Sequence, residues 1–216
     1  MNTLIIDFYK AKRLIALWGV LFVATSVMAQ GVADIWLQKV SSKLQNKGVE
    51  IAFRINDEDF RMSGKLLMHG ESYLFDTSDM KIWFDGTTQW TLQTDGDYSE
   101  LYISNPAIED QQSINPYLLL KNYQKNFTAT DGGDKTIDGQ LLHKVVLTAK
   151  NEQQELAGVN VYMKENGELA AMTLIFPDEH EVKIGVRSLR NGLTFPKETF
   201  TYSEKDFTVD EVIDMR

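Results

Sequence analysis

Apolar and polar residues alternate along most of this chain from residue 49 onward, the two-residue period of strands with one greasy and one wetter face. In 62–68 the period sets Met62, Gly64, Leu66 and Met68 against Ser63, Lys65 and Leu67. Strands at 73–75, at 81–84 and around Gln89, Trp90 and Leu92 follow at hairpin spacing, and 49–55 and 98–104 flank them. Asp85-Gly86 reads as a type I′ turn, because both of its central positions need positive φ.

Two stretches change period. In 31–46, Ile35, Trp36, Leu37, Val40 and Leu44 fall near i, i+3, i+4, i+7 spacing, predicting an amphipathic helix that Gly48 stops. Further on, Asn115 is placed to cap a second helix with Pro116 at its first position, and Leu118, Leu119 and Tyr123 supply its buried side. Strand character then returns at 127–130, 135–137, 141–149, 158–164, 169–176, 182–189, 198–203 and 209–215, with turns at 131–134, Asp138-Gly139, 151–155, Asn166-Gly167 and 190–192. About ten strands joined by tight turns predict a mainly β, all-antiparallel meander or barrel.

The amino terminus changes the picture of where such a domain works. A basic Lys10, Lys12 and Arg13, an apolar run at 14–25 and Ser26-Val27-Met28-Ala29 read as a secretory signal cleaved after Ala29. The run is shorter than the ~20 residues that span a bilayer. Net charge is −9, from 22 basic and 31 acidic residues. Removal of residues 1–29 takes away Asp7 and the three cations, leaving 19 against 30 and a charge of −11. Such a chain is a poor partner for nucleic acid or for anionic lipid. With no cysteine there is no disulfide, thiolate chemistry or acylation of the chain itself.

No catalytic constellation is legible. His69, His143 and His180 lack ligand spacing, and Asp131, Asp134 and Asp138 match no calcium loop. No nucleophile elbow, phosphate loop or dinucleotide fingerprint occurs, so no catalytic residue, metal ligand or cofactor is assigned. What stands out is the number of large apolar side chains on strands: Phe53, Met62, Leu66, Met68, Tyr73, Phe75, Trp83, Trp90, Leu92, Met163, Met172, Leu174, Phe176, Ile184, Phe200 and Tyr202. They either fill the interior of a sandwich or line a cavity whose methionines adapt to varied ligand shapes.

The leading helix, Gly64-Lys65-Leu66, Ser72-Tyr73-Leu74-Phe75, 84–90, 115–120, 195–202 and 212–216 together resemble the LolA-like outer-membrane lipoprotein carriers, in a form close to that of Bacteroidetes-type bacteria. The resemblance implies a half-open antiparallel β-barrel of about 10–11 strands over residues 30–216, with α-helices as a lid on an apolar cavity. In that reading the large side chains above line the cavity, and Trp36, Leu37, Val40, Leu44, Leu118 and Leu119 belong to the lid. The implied function is a periplasmic, monomeric carrier that shelters the acyl chains of lipoproteins between the membranes. Its partners are an inner-membrane releasing transporter and an outer-membrane acceptor. A related lipid-binding or envelope-stress sensing module of the same fold is the alternative. One departure stands out: the family's Arg-Pro pair before the aromatic strand, implicated in holding the lid, is replaced by His69-Gly70, and no lysine or arginine lies between Lys65 and Lys81.

Overall fold

The computed structural model describes residues 31–45, 47–57, 60–107, 111 and 114–216. The predicted signal segment lies outside them. One twelve-stranded sheet organises the chain: β1 (Gly48–Asn56), β2 (Arg61–His69), β3 (Ser72–Thr77), β4 (Met80–Phe84), β5 (Gln89–Asp95), β6 (Tyr98–Ser104), β7 (Phe127–Ile137), β8 (Gln140–Ala149), β9 (Gly158–Met163), β10 (Leu169–Ile175), β11 (Glu181–Leu193) and β12 (Glu211–Asp214). Helix α1 covers residues 31–44 and α2 is Pro116–Asn126.

The spatial order β12-β6-β5-β4-β3-β2-β1-β11-β10-β9-β8-β7 joins two meanders at the β1–β11 pair and never closes. The result is a half-open barrel. The β6–β7 connection must pass from one end of the sheet to the other, and α2 is the element that makes the crossing.

Inward parity is set by register. Ile51 of β1 pairs with Leu66 of β2, Leu66 with Phe75 of β3 and Phe75 with Ile82 of β4, and all four are buried in one core. From the other meander Val145, Val161, Met172 and Ile184 share that face. Ala33, Leu37, Val40 and Leu44 of α1, spaced four, three and four apart, are almost fully buried against it, and so are Leu118, Leu119 and Leu120 of α2. A helix with an apolar stripe gains most of its stability from such packing. Ile35, expected in that stripe, is instead 57% exposed, since it projects away from the line Ala33–Leu37–Val40–Leu44.

Four local expectations are corrected. β7 runs unbroken from 127 to 137, because the expected turn at Asp131–Asp134 is a bulge within a continuing ladder to β8. Likewise β11 continues to Leu193, with Gly192 at φ 77° carried inside the strand in place of a turn. Residues 198–203 form no strand: Lys197–Phe200 is a 3-10 turn followed by irregular chain. Finally, β12 pairs with β6 in parallel, so the sheet is not wholly antiparallel. Among the hairpin turns that are described throughout, only Asp138-Gly139 has both residues at positive φ, 49° and 77°, as a type I′ turn requires. At Asp85-Gly86 only the glycine does, and Asp85 Oδ1 instead accepts from the amides of Thr87 and Thr88 at 2.9 and 2.8 Å.

Candidate functional site

A cavity of about 250 Å³ opens between the inner face of the sheet and the start of α2. Seven of the residues expected to line it do so: Phe53, Leu66, Phe75, Met172, Leu174, Phe176 and Ile184. They come from β1, β2, β3, β10 and β11 and from the chain just beyond β10, so the cavity spans the seam between the two meanders. Phe53 and Phe75 stack at 5.0 Å between centroids on its floor. Glu155 is the one ionisable residue in the lining.

Sequence reasoning passed over Ile51, Ile55, Val182 and Val186, which share a face with Phe53 and Ile184. The signal was there, in the same alternation that singled out their neighbours. Ile114, Pro116 and Glu155 also line the cavity, but they come from loop ends whose position follows no period.

The remaining expected lining residues lie elsewhere. Met68, Tyr73 and Met163 are in the same core but fully packed, and Met62 is half-buried at its margin. Trp83, Trp90, Leu92 and Tyr202 sit on the outer face in a separate cluster with Leu101, Phe207 and Val209. The reason is parity: Ile82 and Phe84 point to the core, so Trp83 between them must point out. There the Trp83 ring meets Tyr202 and Phe207 edge-on at 5.5 and 5.1 Å. Phe200 is buried in the segment that leads to this cluster, with Phe195 at 5.8 Å and β3 beside its turn. The carboxy-terminal segment thus crosses the outer face before adding β12 to β6.

The helices are tied down by named contacts. Asn115 caps α2 by accepting from the amides of Tyr117 and Leu118 at 3.0 and 3.4 Å, while its Nδ2 donates to the carbonyls of Gly70 and Glu71 at 3.5 and 3.4 Å. Lys121 pairs with Glu71 at 3.1 Å. Both contacts end at the β2–β3 turn, which carries His69-Gly70. Asn115, at the cap, meets backbone carbonyls of the turn, and Lys121, within the helix, meets the turn's Glu71 carboxylate. The Tyr73 hydroxyl, pushed well above the ordinary phenol range by burial, donates to Gln111 Oε1 just ahead of α2.

The Tyr123 hydroxyl donates to Asp34 and so joins α2 to α1. Burial first, and this bond second, push its pKa up to about 12. Trp36, half-buried at the edge of the core, stacks on His143 of β8 at 4.3 Å and 17°. The His143 ring lies between two carboxylates, with Nδ1 2.9 Å from Asp134 Oδ1 and Nε2 2.9 Å from Asp131 Oδ1, the latter off the direction a ring hydrogen bond needs. Because the two aspartates face different nitrogens, they do not converge on one point as metal ligands do. Among the described residues no group of histidines and carboxylates could hold a metal ion.

No curated protein matches the chain in sequence. Among solved structures, an uncharacterized conserved protein from Thermus thermophilus is similar at a TM-score of 0.56 and 9% identity, over 85% of this chain and 99% of that one, and shares the fold. A LolA superfamily protein from Nitrosomonas europaea aligns over 79% of this chain and 97% of its own, at TM-score 0.42 and 12% identity. MucB of Pseudomonas aeruginosa, solved in complex with MucA, aligns over 80% of this chain and 62% of its own, at TM-score 0.43 and 10% identity. The family model described as outer membrane lipoprotein carrier protein LolA matches residues 25–167. That span takes in α1, α2 and β1 to β9, and the chain belongs to this family of outer membrane lipoprotein carriers.

Proposed function

We propose that the protein is a periplasmic carrier that takes lipoprotein acyl chains into the cavity between sheet and helices and moves them from the inner to the outer membrane. The observation that carries this reading is the apolar lining: fourteen of the fifteen residues around the cavity are uncharged, and all fourteen are hydrophobic or proline. Family membership supports it. So does energetics, since an acyl chain of about 15 methylenes at ~0.8 kcal/mol each resists transfer to water by roughly 12 kcal/mol. Only an apolar shelter offsets a cost of that size.

The closed volume of about 250 Å³ falls below the range of roughly 300–1,000 Å³ typical of small-molecule sites. Loading therefore requires α2 to move outward, and the Asn115, Lys121 and Tyr123 contacts are the ones that must give way. A releasing transporter at the inner membrane and an acceptor at the outer membrane are the partners this cycle needs.

Mass spectrometry of protein purified from cell envelopes tests the reading. Acylated peptides are expected in the bound fraction, and Leu174→Asp is expected to weaken acylated-peptide binding by roughly tenfold or more. Recovery of phospholipid or glycolipid alone would favour the lipid-binding or stress-sensing module instead, and a chain that ignores acylated peptide would sink the carrier role.

A further inference from the structure

The outer face of the sheet holds a second groove, of about 590 Å³, across the strands from the apolar cavity, and Met172, Ile184 and Val186 border both. Register builds it. One row across the strands reads Arg54, Gly185, Ala171, Tyr162 and Lys144, so two residues with almost no side chain lie next to each other at its centre. The adjoining row contributes Lys183 and Thr173. On the other side the ladder shifts between Ala52 and Phe53, leaving Arg187 as the extra residue of a bulge in β11, and Arg187 lines the groove. Bulges commonly re-aim a side chain in this way. Lys164 and the tip of the β7–β8 hairpin, Asp138 and Gln140, wall the far end.

Charge and shape point the same way. Four cations and a single carboxylate, Asp138, line the groove, in a chain whose net charge is −9. Lys164 holds Glu168 at 3.0 Å and Lys183 reaches Glu181 at 3.7 Å, but among the described residues no carboxylate pairs with Arg54 or Arg187. Gly185 has no structural need to be glycine. Its φ is not positive, and an added Cβ would meet nothing nearer than the Arg54 carbonyl oxygen at 4.0 Å. Glycine weakens a strand interior, and here, beside the bulge at Arg187, its missing side chain leaves the centre of the groove open to close approach of a ligand.

We propose that this groove binds a phosphate-bearing ligand, with Arg54 and Arg187 as its principal holders, Lys183 and Lys164 adding charge, and Gly185 and Ala171 as the floor. Guanidinium forks match phosphate oxygens two at a time. A cluster of four cations suits more than one negative charge. The volume lies within the range of roughly 300–1,000 Å³ for small-molecule sites, and the hairpin wall favours a compact ligand over a long acidic chain. Tyr162 and Ile137 offer apolar contact to whatever carries the phosphate. The source is either a soluble phosphorylated small molecule or a phospholipid headgroup. The proposal rests on the outward row and its cations and not on the apolar lining, so neither proposal falls with the other.

Pyrophosphate is the probe, titrated into the full chain at low salt and followed by calorimetry and backbone-amide shifts. Saturable binding with shifts at Ala171 and Gly185 is expected, weakened roughly tenfold or more in the Arg54→Gln/Arg187→Gln double variant. Gly185→Leu fills the floor where space is open, and it is expected to melt no lower than the parent while losing pyrophosphate to a similar degree. Flotation with phosphatidylglycerol against phosphatidylcholine vesicles separates the sources. Parent-only capture by phosphatidylglycerol indicates a headgroup, and pyrophosphate binding without vesicle capture indicates a soluble ligand. The proposal is overturned if neither probe binds, if both variants bind like the parent, or if polyglutamate outcompetes pyrophosphate for the groove and marks it as a protein-docking face.

Discussion

Asn115 uses one amide for two purposes: its oxygen ends the orphaned amides of α2 and its nitrogen holds the β2–β3 turn. Asn115→Ala should therefore cost more than a surface cap, about 1–2 kcal/mol in urea unfolding. Asn115→Asp would retain the cap but set a carboxylate against the carbonyls of Gly70 and Glu71, so a rescue to parental stability would show that the turn contact contributes nothing. Tyr123 makes the second tie, and its pH dependence has a definite sign. Its folded pKa, about 12, is above the ordinary 10.0, so its contribution is complete below pH 10 and lost as pH rises through about 12. Tyr123→Phe should lower stability at neutral pH by about 1 kcal/mol and lose less between pH 10 and 12 than the parent, as read by tryptophan fluorescence in alkaline titration.

At the level of elements, β12 is a four-residue parallel strand that caps the β6 edge and is anchored by Asp210 accepting from Ser99 at 2.8 Å and by Met215 donating to the Ile103 carbonyl at 2.8 Å. Deleting residues 211–216 should bare that edge. Unpaired edges recruit other strands, so light scattering is expected to report concentration-dependent association in the truncated chain and not in the parent. The segment before β12 stabilises the fold from outside. Trp83→Ala, which removes the ring that Tyr202 and Phe207 pack against, should cost about 3–5 kcal/mol in unfolding while leaving acylated-peptide binding intact at temperatures where the fold persists. Loss of that binding in the folded variant would place the outer cluster in the site after all.

For the whole molecule, an open sheet with helices across it gives two differently wetted surfaces: an apolar pocket inside and a cation-lined groove outside. Much of this was legible in the chain. Alternation located most of the strands, though it broke β7 and β11 and placed one at 198–203 where none forms; the Asn115-Pro116 pair marked the start of α2, and Asp138-Gly139 gave a true type I′ hairpin. These features were readable because each is decided by contacts among near neighbours: backbone φ, a capping side chain, a two-residue period. The inward parity of β4 was not, because Ile82, Trp83 and Phe84 are all apolar and all buried, so polarity alone cannot say which face is inside. Nor could the sequence show that residues 198–215 turn across the back of the sheet and bury Trp83, Leu92 and Leu101, because that depends on contacts over a hundred residues apart. The row Arg54–Gly185–Ala171 is of the same kind. Local pattern determined the elements and their two faces; only the three-dimensional pairing decided which face encloses the cavity, what ties the helices down, and which distant cations share a groove.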